Sequence, residues 1–163
     1  MGICIETKKT CIVTNYPLIS CHMNVVRHKE IIYSVIGAAM EVHRVLGGGL
    51  LEPIYNEALF IELRERGIDC EREKQIPCFY KNRKLEKHYQ MDLVVDDVII
   101  ELKSVSELIP THREQLFNYL RLTQMPMGLL INFGQSSLQG ERYAYFKDGN
   151  ECVLVDRDMN LVY

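Results

Sequence analysis

The segment QMDLVVDDVIIELKS, residues 90–104, constrains the fold of this chain more than any other feature. Two short runs of aliphatic, mostly β-branched residues meet at Asp96 and Asp97, a polar pair of the kind that closes two-residue hairpins. If the strands pair symmetrically about this turn, Asp92 lies directly opposite Glu101. The sequence therefore predicts a tight β-hairpin in which two carboxylates face each other.

Facing carboxylates need a positive partner. Cross-strand neighbours have Cβ atoms roughly 5 Å apart, and two like charges at that distance destabilise a sheet. Lys103 follows Glu101 by two residues and returns to the same face of its strand, because side chains alternate with period two. Asp92, Glu101 and Lys103 therefore converge on one spot, which suits a hard divalent cation and a water molecule to be activated.

The same three charges are also compatible with a purely structural, solvated hairpin face. The neighbouring residues argue against that alternative, because the run is otherwise almost wholly apolar. Such strands are typical of sheets buried on both faces, where unpaired charges are costly.

Length and composition narrow the class of protein. The chain has 163 residues, 25% of them charged and 47% hydrophobic, as expected for one ordinary globular domain. No run of about 18 apolar residues and no secretory signal pattern is present, so we expect a cytoplasmic protein with no membrane contact. The formal net charge of -3 argues against binding nucleic acid by bulk electrostatics, although an acidic metal site can coexist with a local basic rim.

The six cysteines form no CxxC pair and show no zinc-ligand spacing. Free thiols in a reducing compartment are the simplest interpretation. A metal or redox protein that gathers Cys4, Cys11, Cys21 and His22 remains the weaker alternative.

Changes in hydrophobic period divide the chain into an irregular extension, residues 1–24, and a single domain, residues 25–163. Three glycines, 47–49, end the first predicted helix. Pro77 marks its strand as an edge strand or a bulge. Thr111 is the predicted N-cap of the third helix, with Glu114 completing a capping box. The expected helices are 27–46, 51–66 and 111–123, and the expected strands are 75–80, 85–95, 98–104, 127–133 and 142–146.

This order of elements, with an Asp ending one strand and Glu-x-Lys on the next, resembles the PD-(D/E)XK nuclease superfamily. The stretch GLLEPIY, residues 49–55, matches the signature of the GxxExxY family, a small bacterial group placed in that superfamily. Further matching stretches extend the similarity to residues 28–146: EVHRVLG, MDLVVDDVIIELKSV, QLFNYL and GLLINFG. Met91 stands where the superfamily name expects Pro, and Gly-Gly-Gly stands where relatives often carry Gly-Pro-Gly.

The resemblance implies an α/β fold with a restriction-endonuclease-like core, αβββαβ. An extra helix precedes this core, and helices flank a mixed sheet. A right-handed parallel crossover through the third helix is expected from general topology.

The resemblance also implies roles for particular residues. Asp92 and Glu101 would bind a catalytic Mg²⁺ or Mn²⁺ with the backbone carbonyl of Leu102, and Lys103 would orient or deprotonate the attacking water. Glu52 matches the helical glutamate that often completes such sites. By spacing alone, Glu52 is equally well explained as a first-turn acid favoured by the helix dipole.

Other candidates are weaker. Gln115 and Tyr119 match a Gln-x-x-x-Tyr element of exonuclease-like branches, yet their shared helix face also fits simple packing. Glu57 is a second-choice ligand, and His43 is expected to pack or cap near the glycine turn. Two groups of basic residues could guide a phosphate backbone or form solvated faces. These groups are Lys81, Arg83, Lys84 and Lys87, and Arg64, Arg66, Arg72 and Lys74.

The sequence thus indicates a metal-dependent nuclease that hydrolyses phosphodiester bonds in DNA or RNA. Such enzymes often work as homodimers when both strands of a duplex are cut. The alternative from another class is a catalytically silent nuclease fold that binds nucleic acid or a protein partner.

Overall fold

A computed structural model of the chain describes residues 28–163. The predicted extension, residues 1–24, and the cysteines Cys4, Cys11 and Cys21 lie outside this range. The helices are α1 (Lys29–Leu46), α2 (Glu52–Glu65) and α3 (Pro110–Thr123). The strands are β1 (Glu71–Tyr80), β2 (Arg83–Val95), β3 (Val98–Lys103), β4 (Met127–Asn132), β5 (Gln139–Phe146), β6 (Glu151–Val155) and β7 (Leu161–Val162).

The strands of residues 28–163 form one seven-stranded sheet in chain order from β1 to β7. Strands β3 and β4 run parallel, and α3 connects them. The other neighbouring pairs are antiparallel. The predicted mixed sheet with a parallel crossover is therefore confirmed, and the fold is the restriction-endonuclease-like α/β class.

Helices cover both faces of the sheet. On one face, α1 and α2 pack against strand residues such as Ile100 and Leu102. On the other face, α3 packs against residues such as Ile99 and Leu130. Because side chains alternate along a strand, β3 is buried along its whole length. This confirms the predicted burial on both sides for β3 and for Leu93–Val95, the part of β2 that pairs with it.

The predicted hairpin register is confirmed over three cross-strand pairs. Val95 pairs with Val98, Val94 with Ile99, and Leu93 with Ile100. Asp96 turns the chain with a φ of 51°. This register brings Asp92 and Glu101 to the same end of the two strands.

Pro77 predicted an edge strand or a bulge, and β1 shows both features. Its pairing with β2 shifts register between Pro77 and Phe79, and among the described strands β1 has no second neighbour in the sheet. Strands β1 and β2 are both longer than the hydrophobic pattern predicts. The pattern misses their outer residues because these are exposed and follow no alternation.

The predicted start of the third helix is wrong. Helix α3 begins at Pro110, its N-cap is Ile109 rather than Thr111, and the Ile109 N–H donates to Nδ1 of His112 at 3.2 Å. Proline suits the first helical position because it has no N–H to leave unpaired and its φ is already helical. The third helical position is then His112, so Glu114 falls two residues too late to form a capping box.

The last two strands, β6 and β7, were not predicted. They pair beyond β5 at the far edge of the sheet, where exposed and buried residues mix. Within residues 28–163, no helix combines the length and apolar character needed to span a membrane.

Gly128 offers a test of how tightly α3 packs on the sheet. A Cβ at this position would lie 2.9 Å from Cδ1 of Leu116, so we expect Gly128→Ala to destabilise the protein by about 1–3 kcal/mol through overpacking. Gly140→Ala is the matched control, because a Cβ there meets nothing within 4 Å. Urea unfolding of both variants checks the difference, and equal stabilities would contradict the packing.

Candidate active site

Asp92 is fixed against the neighbouring strand. Its Oδ2 accepts a hydrogen bond from the backbone N–H of Leu102 at 2.8 Å. Burial raises the pKa of Asp92, while the Leu102 hydrogen bond and the Lys103 charge lower it. The carboxylate is thus held rigidly at the end of the hairpin that carries Glu101.

Glu101 is the most constrained charge of the site, with only 1% of its surface exposed. Its Oε1 accepts a hydrogen bond from Nζ of Lys103 at 2.6 Å. Its Oε2 is buried and has no hydrogen-bond partner among the described residues. Burial is the main reason that the pKa of Glu101 rises from 4.5 to about 8, and the nearby charge of Asp92 raises it further.

Lys103 is a buried cation, 7% exposed, among three acids. Besides Glu101, its Nζ donates to the backbone carbonyl of Leu102 at 2.8 Å and lies 3.8 Å from Oε1 of Glu52. One ammonium therefore faces the carboxylates of Glu52, Asp92 and Glu101. Since the acids outnumber the base, the site attracts further positive charge.

Glu52 belongs to a different element and is the first residue of α2. Burial raises its pKa, and the charge of Lys103 opposes that rise. The N-terminus of a helix carries partial positive charge that favours an acid there. The helix dipole therefore favours an acid at this position, and the same helix start brings Glu52 close to Lys103.

Tyr55 fixes the glycine loop that immediately precedes Glu52. Its hydroxyl donates to the carbonyl of Gly47 at 2.7 Å and accepts from the N–H of Leu50 at 3.0 Å. Its ring stacks on Phe133 with centroids 4.5 Å apart. A Cβ on Gly48 would lie 2.3 Å from the carbonyl oxygen of Gln135, so only glycine fits there. The glycine run and the tyrosine thus fix the start of α2.

Asn56 is a residue that the sequence reasoning missed. It is buried on α2, its side-chain amide lowers the pKa of Asp92, and its Oδ1 has no hydrogen-bond partner within residues 28–163. The available signal was its position four residues after Glu52, on the same helix face. Glu57, the second-choice ligand, is exposed on another face of α2.

Gln115 and Tyr119 lie about one turn apart on α3. Nε2 of Gln115 donates to the Tyr119 hydroxyl at 2.8 Å. Burial raises the pKa of Tyr119 to about 12, and the charges of Glu101 and Asp92 contribute to the rise. Tyr119 is therefore both packed and within electrostatic reach of the two carboxylates.

The remaining polar residues support the framework. Nε2 of His43 lies 2.9 Å from the carbonyl oxygen of Gln135, as expected for a packing role near the glycine turn. Burial and the charge of Lys103 lower the pKa of His112. The Asn132 side chain bonds the N–H and carbonyl of Val105 at 3.0 and 2.9 Å, which anchors the chain as it leaves β3.

The donor atoms fit a hard divalent cation. Two carboxylates and a backbone carbonyl provide only oxygen, which Mg²⁺ and Mn²⁺ prefer over nitrogen and sulfur. The unpartnered Oε2 of Glu101 is a buried acceptor that a cation would satisfy. No three His, Cys, Asp or Glu side chains among residues 28–163 form a ready-made metal cluster, so Leu102 would have to complete the set.

The cysteines among residues 28–163 do not support the alternative of a metal or redox protein. Cys70, Cys78 and Cys152 are free thiols. Burial raises the pKa of Cys70 and raises that of Cys152 to about 11, so neither thiol is activated.

The chain is similar to known proteins both in sequence and in structure. A family model described as the PD-(D/E)XK nuclease superfamily matches residues 29–143, more than two thirds of the chain. No curated protein matches the chain. A solved structure described as "Crystal structure of SSO0001" is similar at 17% identity and a TM-score of 0.46. That similarity covers 75% of this chain but only 61% of the other.

The raised pKa of Glu101 predicts how stability depends on pH without metal. The folded protein keeps this proton up to about pH 8, whereas an unfolded glutamic acid loses it near pH 4.5. The free energy of unfolding should therefore fall as pH rises through that window. We expect Glu101→Gln, which mimics the protonated acid, to gain at least about 1 kcal/mol over wild type between pH 5 and pH 9.

Thermal unfolding in chelator at both pH values measures this difference. The matched control is Glu57→Gln, an exposed glutamate on α2. A stability difference between Glu101→Gln and wild type that stays constant or shrinks with pH would contradict the buried acid.

Proposed function

This chain belongs to the PD-(D/E)XK nuclease superfamily, and we propose that it is a metal-dependent nuclease that hydrolyses phosphodiester bonds in nucleic acid. One observation carries the proposal. Glu101 is buried beside Asp92 with one carboxylate oxygen unpartnered, and Lys103 is its only cationic contact within residues 28–163. A fold that served only as a scaffold would gain stability by replacing such a cluster with apolar residues.

The metal site would consist of Asp92, Glu101 and the backbone carbonyl of Leu102. When bound, Mg²⁺ or Mn²⁺ supplies charge neutralisation at the scissile phosphate and lowers the pKa of a water molecule. Superfamily members generally use divalent metals, and the all-oxygen donor set fits both ions equally. Asn56, whose buried side-chain amide lowers the pKa of Asp92, would help to keep that carboxylate charged and oriented.

Lys103 would act on the water and the phosphate. Its contacts with Glu101 and with the Leu102 carbonyl hold the ammonium at the carboxylates. From that position it would orient the attacking water and stabilise the negative charge that develops on the phosphate. Glu52, 3.8 Å from the same ammonium, would accept a hydrogen bond from the water or from the metal's hydration shell.

Tyr119 would contribute as a neutral donor. With a pKa of about 12 it keeps its proton at neutral pH. Because its oxygen already accepts from Gln115, the phenol proton is free for a phosphate oxygen. This arrangement supports a positioning role for Gln115 and a substrate-binding role for Tyr119.

We assign the chain more narrowly to the GxxExxY group. The contacts of Tyr55 with the glycine loop support that assignment, because they give each position of the motif a physical role. Glycine allows the tight loop, Glu52 faces the site, and Tyr55 ties the loop to α2. A cytoplasmic location fits a nucleic-acid substrate and the free thiols. Cleavage of both strands of a duplex would call for a homodimer.

The cleavage experiment uses purified protein with single- and double-stranded DNA and RNA, in Mg²⁺, Mn²⁺ or chelator. We expect metal-dependent cleavage that falls at least about 100-fold in Lys103→Met. Methionine is chosen because an apolar chain of similar length fits the buried position. Lys147→Met, an exposed lysine, is the control and should cleave like wild type.

Absence of cleavage by the wild type on every substrate would contradict the nuclease proposal. If the protein still bound nucleic acid in that case, a catalytically silent binding module would be the correct description. Circular dichroism of Lys103→Met separates loss of chemistry from loss of folding.

Metal binding should be visible without any substrate. We expect millimolar Mg²⁺ to raise the unfolding temperature of the wild type by several degrees, because ligand binding to the folded state stabilises it. The effect should be larger at pH 8 than at pH 6, since metal must displace the proton from Glu101. Asp92→Asn should abolish the shift. A shift that survives in Asp92→Asn would place the ion elsewhere.

A further inference from the structure

The hairpin of β1 and β2 extends beyond the body of the sheet. Strand β2 has 13 residues, but only Leu93–Val95 pair with β3. Its pairing with β1 continues to the turn, where Tyr80 pairs with Arg83. The first eight residues of β2 are all exposed. We call the projecting part, residues 77–90, the arm.

The arm leaves the sheet at the active site. In β2 it ends immediately before Met91 and Asp92. At its base, the ring of Tyr89 contacts the ring of Tyr119 edge-to-face, with centroids 5.7 Å apart. Tyr119 is in turn under the electrostatic influence of Glu101. A chain lying along the arm would therefore lead into the proposed catalytic centre.

The basic residues of the arm lack the ion-pair partners that most of the second basic group have. Arg64, Arg66 and Lys74 contact Asp69, Glu62 and Glu71 respectively, and Arg72 lies over the ring of Phe60. Within residues 28–163, none of the arm's cations forms an ion pair. These cations are Lys81, Arg83, Lys84 and Lys87.

The arm's aromatic residues are exposed as well. Phe79 and Tyr80 keep 62% and 65% of their surface exposed, and Tyr89 keeps 42%. Lys81 lies over the ring of Tyr80, with its Nζ 5.6 Å from the ring centroid, and the opposite face of that ring is open to solvent because the residue is mostly exposed. Exposed rings beside unpaired cations form a typical surface for stacking unpaired bases while the cations contact phosphates.

We propose that the arm binds a single-stranded segment of nucleic acid and guides it to the active site. The inference rests on the proposed nuclease function and adds the substrate class. A single strand is favoured over a duplex because the rings of Phe79 and Tyr80 can stack only on bases that are unpaired. The net charge of -3 does not oppose this, since the positive charge is local and the Debye length is about 8 Å at physiological salt.

Binding is measured with fluorescently labelled single-stranded and duplex oligonucleotides in chelator, so that cleavage cannot interfere. We expect Phe79→Ala/Tyr80→Ala to weaken single-strand binding by at least about tenfold, with little effect on duplex binding. Lys84→Gln/Lys87→Gln should lower the slope of log affinity against log salt by about 1.4 for single strands.

The control for charge is Arg64→Gln/Arg66→Gln, which removes two cations near the C-terminal end of α2, whose N-terminal end carries Glu52. It should bind within about twofold of wild type. Every substituted arm residue is exposed, and thermal unfolding of each variant checks that it is folded.

The outcomes separate this inference from the nuclease proposal. If wild type cleaves nucleic acid but the arm variants bind like the control, the arm inference is overturned and the nuclease proposal stands. If the arm variants lose binding but wild type cleaves nothing, the arm inference stands and the nuclease proposal fails. If the arm variants alter only the oligomeric state in sedimentation, the arm is a contact between copies of the chain and the inference is overturned.

Discussion

The burial of Glu101 beside Asp92 is the interaction on which the site depends. A carboxylate in this position is unfavourable in its charged form, as its pKa of about 8 shows. Lys103 compensates only one of its oxygens. The surrounding strands are hydrogen-bonded on both sides and almost wholly apolar. Their packing stabilises the fold and offsets the unfavourable free energy of burying this charge.

The fold places the cluster at a point where three elements meet. The hairpin brings Asp92 and Glu101 to the same end of adjacent strands, and α2 begins there with Glu52. Tyr55 and Phe133 tie the start of α2 to the chain after β4. Because each contribution is backed by packing or backbone hydrogen bonds, the acids are preorganised before any ligand arrives.

The elements that were predicted well are those in which a local pattern decides the structure. The register about Asp96 and Asp97 follows from period-two alternation and turn chemistry, and both act over a few residues. The start of α3 was misjudged, because Pro110 and the His112 side chain outweigh the capping pattern at Thr111. The strands β6 and β7 escaped prediction because they are only five and two residues long, and Val153 and Val155 are their only buried residues, too few to make a clear alternation.

The sequence by itself determined the hairpin, the α/β class and the convergence of Asp92, Glu101 and Lys103, because neighbours across a tight turn are fixed by spacing. Only the tertiary structure decided what approaches that cluster from elsewhere in the chain. Asn56 acts on Asp92 from a helix, Tyr119 contacts the ring of Tyr89 and lies within electrostatic reach of the carboxylates, and the arm ends immediately before Met91 and Asp92. Contacts between distant segments depend on packing angles and strand lengths, which no local period encodes.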